Sequence, residues 1–286
     1  MIPPSLLSVV YGLASAISWG TGDFSGGMAS KKQSTFTVVL ISQIIGGMLL
    51  FVLALLWREP IPTGTDLLTG GTAGVAGMFG LLLLYRGLAD SEMGLVAPVT
   101  AVVSVIFPLI VGALRDGLPN VQQMLGFALA LVAVWLLSAE GGMQSIQWRQ
   151  LLTPVLAGSG FGLFFVLIDL VSTGVIFWPL IAARCASVLI LLIIVGTRRS
   201  SERVSVTAIG AAWGWMALSG IFDTGGNVFA ALAIQSGRLD IASLFSSLYP
   251  AATVMLAWLI LKERINTRRW LGIGLILVTI TLISTA

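Results

Sequence analysis

Long apolar runs alternate with short polar breaks along the whole chain. The runs cover Ser5–Met28, Thr35–Trp57, Leu67–Leu88, Met93–Leu114, Val121–Ser138, Leu151–Val171, Gly174–Gly196, Val206–Gln235, Ile241–Leu261 and Trp270–Ser284. Each is near the length of about 20 residues that a helix needs to cross a bilayer. The pattern therefore predicts ten transmembrane helices, spans 1 to 10. The breaks are chemically plain: Lys31-Lys32-Gln33, Arg58–Asp66, Arg115–Asn120, Ala139–Gln150, Thr197–Arg203 and Lys262–Arg269. Most are too short to recross a membrane, so successive spans must be antiparallel. No basic residue or recognisable cleavage site accompanies the first run, which reads as a retained helix.

The pattern also repeats. With an offset of 146 residues, Asp169 falls on Asp23, Gly158 on Gly12, Gly220 on Gly74, Gly226 on Gly80, Asn266 on Asn120 and Gly272 on Gly126. Leu275, Leu277, Val278, Leu282 and Ser284 fall on Leu129, Leu131, Val132, Leu136 and Ser138. Spans 2 and 7 align poorly under the same offset. The division is residues 1–138 for a first repeat, 139–150 for a connecting loop and 151–286 for a second repeat. Five spans per repeat is an odd number, so the second copy enters the membrane from the opposite side. The expected fold is an all-α integral membrane protein with ten transmembrane helices as two inverted five-helix repeats, an arrangement that transporters use around a midplane site.

Composition agrees with the pattern. Of 286 residues, 57% are apolar and 9% charged, against about 25% charged in a soluble domain. This excludes a water-soluble globule and a disordered chain. One cysteine, Cys185, cannot form an internal disulfide, and the absence of histidine argues against zinc, haem or histidine-based catalysis. No metal site and no cofactor are expected. Lys31, Lys32, Arg149, Arg198, Arg199, Arg203, Lys262, Arg264, Arg268 and Arg269 follow odd-numbered spans, whereas Arg58, Arg115 and Arg238 lie at the other face. Taken alone, the positive-inside bias puts the first set in the cytoplasm and both termini outside. Trp57, Trp148 and Trp270 beside Arg58, Arg149 and Arg269 suit interfacial anchors.

The segment Leu259-Ile-Leu-Lys-Glu-Arg-Ile, followed by Trp270-Leu-Gly-Ile-Gly-Leu-Ile-Leu, resembles a signature of the EamA family in the drug/metabolite transporter superfamily. A degraded copy, Ala113-Leu-Arg-Asp-Gly then Leu125-Gly-Phe-Ala-Leu-Ala-Leu, stands in the first half, and Ser18-Trp19-Gly20 is similar to the family's opening helix. The resemblance covers the whole chain. It implies a secondary transporter, often an exporter of amino acids or other metabolites, with a cavity lined mainly by spans 1, 3, 4, 6, 8 and 9. It also implies cytoplasmic termini, opposite to the loop count.

Intramembrane polar groups are costly and usually face a cavity or a partner. Asp223 lies 15 residues before Arg238, roughly 20 Å along a helix. Arg184, ten residues into span 7, lies about 15 Å from the same face. The two are expected to pair or to share a water-filled cavity, as a structural ion pair or as part of a substrate site. Asp23 and Asp169, repeat mates near opposite faces, are candidate gates or proton acceptors, with hydrated interfacial carboxylates as the plain alternative. Trp19, Tyr85, Phe164 and Tyr249 are candidate cavity aromatics. Gly22, Gly26, Gly74, Gly158, Gly162, Gly220 and Gly226 are candidate close-packing or hinge positions; the pairs Gly22/Gly26, Gly70/Gly74, Gly158/Gly162 and Gly210/Gly214 are each four residues apart, as close helix packing favours. Pro98, Pro108 and Pro250 are candidate kinks or hinges.

No nucleotide-binding loop of the GK[ST] type is present, which argues against an ATP-driven pump, and the basic clusters do not form a nucleic-acid surface. The expected function is secondary transport of small metabolites by alternating access, at the plasma (inner) membrane, by a multi-pass monomer or homodimer. Partners are a small-molecule substrate and the lipid bilayer, with protons as a candidate coupling ion. Interior acids and bases together suit a zwitterion such as an amino acid. Alternatives are a sugar or drug exporter, a membrane-embedded lipid-modifying enzyme, and a receptor or scaffold.

Overall fold

A computed structural model describes residues 4–89, 93–138, 148–197, 206–262 and 267–284. The basic residues Arg198, Arg199, Arg203 and Arg264, and most of the expected connecting loop 139–150, lie outside the described residues. The helices are α1 (Pro4–Ser30), α2 (Thr35–Trp57), α3 (Gly64–Ala89), α4 (Met93–Asp116), α5 (Val121–Ser138), α6 (Trp148–Asp169), α7 (Phe177–Thr197), α8 (Val206–Ser236), α9 (Leu239–Ser246), α10 (Tyr249–Leu261) and α11 (Thr267–Ser284). Among the described residues there is no strand.

Short polar residues start these helices at the breaks. Ser34 accepts the Thr37 N–H ahead of α2. Thr63 and Asp66 bond reciprocally at the start of α3, and Asn120 and Gln123 do the same at α5, each a capping box that satisfies otherwise orphaned N–H groups. The chain then turns at Arg58 and Lys262 in left-handed conformation, and at Gly117 and Gly174 with positive φ.

Among the described residues, seven segments are long and apolar enough to cross a membrane: Thr35–Trp57, Gly64–Gly87, Val99–Asp116, Leu151–Asp169, Phe177–Gly196, Ala212–Ser236 and Leu239–Leu261. Val121–Leu136 and Trp270–Ile283 are apolar but shorter. The 27-residue α1 has the length, but Ser15, Ser18, Thr21, Asp23 and Ser25 dilute its hydropathy. Many large apolar side chains, among them Leu56, Trp57, Ile193, Leu271 and Leu277, are exposed. In water such a surface would aggregate; against lipid it is solvated. The protein is an all-helical, multi-pass membrane protein.

Span 9 is not one helix. It breaks at Ser247–Leu248, between α9 and α10. Pro250 lacks an N–H and its ring crowds the carbonyl four residues earlier, so the ladder switches to short-range bonds from Leu248 N to Phe245 O and from Ala251 N to Leu248 O. All eight residues of α9 are buried. By contrast α4 stays helical through Pro98 and Pro108.

The most extensive packing joins the two halves: α1 with α8, α9 and α10; α6 with α3 and α4; α5 with α11; α2 and α3 with α7; and α2 with α8. Exchanging the halves maps this pattern onto itself. Repeat-mate glycines act alike. A Cβ on Gly12 would sit 2.7 Å from Phe245 Cβ, and one on Gly158 would sit 2.6 Å from Thr100 O and Val103 Cβ. In each case the first helix of one half rests on the fourth span of the other. Gly22, Gly26, Gly70, Gly74, Gly162, Gly220 and Gly226 also lie at tight contacts, whereas Gly210 and Gly214 face open space, so the spacing rule fails for that pair.

Candidate functional site

Buried polar side chains converge where α2, α7 and α8 meet. The Arg184 guanidinium on α7 lies 2.8 Å from Asp223 Oδ2 on α8, donates to Gln43 Oε1 on α2 at 2.7 Å, and donates to Thr224 Oγ1 at 3.2 Å. Asn227, one turn after Asp223, donates to the Asp223 carbonyl at 2.8 Å. Arg184 and Asp223 are 7% and 8% exposed, so their charges are held in low dielectric and depend on each other. Two close approaches make room for the cluster: Gly46 admits Thr224, and Gly220 packs on the α2 backbone.

This ion pair lines a cavity with Trp19, Gln43, Gly74, Phe161, Phe164, Ser187 and Asn227. Its water-sized space is about 40 Å³, enough for a few waters and well below the ~300 Å³ of a typical ligand pocket. One wall is polar and the other aromatic, with the Trp19 ring edge-on to Phe164 and Phe165 at 6.3 and 5.6 Å. The lining comes from α1, α2, α3, α6, α7 and α8. Spans 4 and 9, expected from the resemblance, are absent from this lining, and spans 2 and 7 take their place.

Behind the cavity, Tyr85 on α3 is fully buried. Its hydroxyl donates to Gly22 O at 3.3 Å and shares a hydrogen bond with Ser219 at 3.1 Å. Gly26 leaves space for the Tyr85 ring, and the Asp223 backbone lies within 2.9 Å of a Cβ built on Gly22. Asp23 is buried here, with Tyr85 and Asp223 as polar neighbours. It is not near a helix end: α1 continues seven residues to Ser30, roughly 10 Å. Asp169, its repeat mate, does end α6 and is ion-paired with Arg115 of α4. The two mates therefore stand in different environments, a correction to the expectation of matched mouths. Tyr249 at the start of α10 is buried and within electrostatic range of Asp23. Pro250 is buried at the start of α10, and Pro98 lies within α4.

Several participants escape notice in the sequence. Gln43 is a lone amide in an apolar run, and Asn227 lies one turn from an intramembrane acid; both signals are visible once Arg184 is seen to need acceptors. At the face bearing Arg115, Arg238 donates to the Asp116 and Gly117 carbonyls at 3.2 and 2.9 Å and pairs with the fully buried Asp240 at 2.8 Å. Glu59 accepts from the N–H groups of Ile176, Phe177 and Trp178, capping α7. Asp66 accepts from Ser172 N at 2.9 Å.

The comparisons with known proteins agree with this architecture. Residues 6–139 and 148–285 each match the EamA-like transporter family. A solved protein crystal structure superposes over 97% of this chain and 96% of its own, with a TM-score of 0.73 and 15% identity, a likeness of fold. Among curated proteins no match is found.

Proposed function

The chain belongs to the EamA-like transporter family, and from that premise we propose that it is a ten-span secondary transporter of small metabolites, exporting amino acids or related compounds across the plasma membrane by alternating access. Support for two inverted repeats comes from the exchange-symmetric packing and the odd number of spans per half. The observation that carries the substrate reading is the Arg184–Asp223 pair facing the cavity. A zwitterion offers a carboxylate to Arg184 and an ammonium to Asp223, so it can replace each partner of the pair by the other's chemical equivalent. Gln43 and Asn227 would complete the hydrogen bonding. The small volume fits a closed form that must open before substrate enters. The aromatic wall of Trp19, Phe161 and Phe164 favours one second reading, export of an amphipathic drug.

Counterflow of radiolabelled amino acids in proteoliposomes tests the reading. The parent chain exchanges at least one of them, and Arg184→Gln abolishes that exchange. Exchange by the Arg184→Gln, Asp223→Asn double variant at the parent rate would sink the zwitterion site.

A further inference from the structure

One face of α3, made of Gly74, Gly77, Met78 and Leu81, lines the cavity; steps of three and four residues keep these positions on one side of a helix. With the offset of 146 residues that relates the halves, they fall on Gly220, Asp223, Thr224 and Asn227 of α8. Asp223 and Asn227 line the same cavity. Corresponding faces of the two halves therefore meet one space, and their chemistry has diverged. On α8 it holds a carboxylate, a hydroxyl and an amide; on α3 it holds a bare backbone, a thioether and a branched alkyl group. The helices packed on them diverge in the same sense. Phe161 and Phe164 of α6 meet α3 at Gly80 and Gly77. They correspond to Ser15 and Ser18 of α1, which donate to the Gly226 and Phe222 carbonyls of α8. One half of the site is polar and the other apolar.

Gly77 stands where the polar half carries Asp223, and helix contact does not require a glycine there. A Cβ on Gly70 or Gly74 would lie 2.3 Å from the α7 backbone, at Pro179 O or Ala183 Cα, and one on Gly80 would lie 2.9 Å from Ala157 O of α6. At Gly77 the three nearest atoms among the described residues all belong to the Phe164 side chain, at 3.3, 3.6 and 3.8 Å. No backbone atom is among them, and a ring beside a cavity can shift by a few tenths of an ångström. Glycine is a poor helix former, so its place in the middle of α3 calls for another reason. A side chain at this position would fill the apolar half of the cavity.

We propose that Gly77 is the specificity-determining residue of this transporter: its missing side chain leaves the room in which the apolar side chain of an amino acid lies against Phe161 and Phe164, while the charged groups of the substrate meet Arg184 and Asp223. This inference rests on the transport reading above and narrows it to amino acids with apolar side chains. Atoms added at Gly77 take their volume from the substrate, so the accepted side chain shortens as residue 77 grows.

The test compares counterflow of alanine, valine, leucine and phenylalanine in liposomes holding the parent, Gly77→Ala or Gly77→Leu. In Gly77→Leu, exchange of leucine and phenylalanine relative to alanine falls by about tenfold or more, with Gly77→Ala between it and the parent; Gly77→Ala carries the comparison if Gly77→Leu does not fold. Gly77→Ala unfolds at or above the parent temperature in detergent, unlike a glycine fixed by helix contact. An unchanged ratio in the folded variants overturns the proposal and leaves amino-acid transport standing. So does a uniform loss of all four exchanges with a lowered unfolding temperature, or a parent that exchanges only alanine or polar amino acids. A parent that exchanges no amino acid sinks both readings. Independently of transport, Gly77→Cys in a Cys185→Ser background reacts with methyl methanethiosulfonate, a small neutral reagent; a folded but unreactive Gly77→Cys overturns the proposal whatever the counterflow.

Discussion

Taking one member from the Arg184–Asp223 pair leaves a buried charge without a partner, which costs about 3–5 kcal/mol in comparable sites. Asp223→Asn should therefore unfold at markedly lower temperature in detergent, and the double variant Arg184→Met, Asp223→Leu should recover most of that stability while remaining inactive in counterflow. Equal loss of stability in the single and double variants would show that the pair is not an electrostatic unit. Glu59 makes a smaller claim. Replacing it with alanine strips the acceptor from three N–H groups at the start of α7 and should cost roughly 0.5–2 kcal/mol, measurable by thermal unfolding. At this scale the sequence was partly legible. The depth arithmetic placed Arg184 and Asp223 at comparable levels because a helix converts residue count into height directly. It could not supply azimuth, so Gln43 and Asn227 stayed hidden until the helices were arranged around them.

Among the helices, glycines separate into those that matter and those that do not. A Cβ on Gly74 collides with the Ala183 backbone, whereas one on Gly210 meets nothing. Gly74→Ala should force α3 and α7 apart at a cost of about 1–3 kcal/mol. Gly210→Ala should be neutral, or stabilising by up to about 1 kcal/mol from helix propensity. Thermal unfolding of the two variants in detergent checks this, and similar values would mean that helix contact does not set the glycine pattern. Spacing alone could not tell these positions apart, because a four-residue interval specifies a face without saying whether another helix covers it. The break between α9 and α10 was legible only as a proline. Pro98 and Pro108 lie in an unbroken α4, so surrounding contacts, not residue type, decide whether a helix yields. For Asp23 the span end, Met28 against Ser30 in α1, was nearly right; what an apolar run does not report is burial, which sets Asp23 apart from its repeat mate Asp169.

For the molecule as a whole, two sets of ties cross the face bearing Arg115. Arg115 to Asp169 ties α4 to α6, and Arg238 ties the end of α4 to α9. The alternating access proposed above would require these ties to release. In a Cys185→Ser background, a cysteine placed at the cavity residue Ser187 should react slowly with a membrane-impermeant maleimide. Adding Arg115→Ala and Arg238→Ala should raise that rate severalfold. No change in rate would mean that the seal lies elsewhere. The all-helical, multi-pass character and the two family-matching halves were readable from the sequence because lipid demands long apolar helices and duplication leaves an offset. The cavity lining was readable in part: Trp19, Gly74, Phe164, Arg184 and Asp223 are candidates from the sequence and line the cavity, whereas Gln43 on span 2, where the repeat aligns poorly, is not such a candidate.

The interleaving of the halves also bears on how the chain is made. When only the first 138 residues have left the ribosome, the grooves at Gly22, Gly74 and Gly80 have nothing to receive, and Gln43 has no arginine to meet. A truncated product would be a substrate for quality-control proteolysis, while two separately encoded fragments could rescue each other when synthesised together.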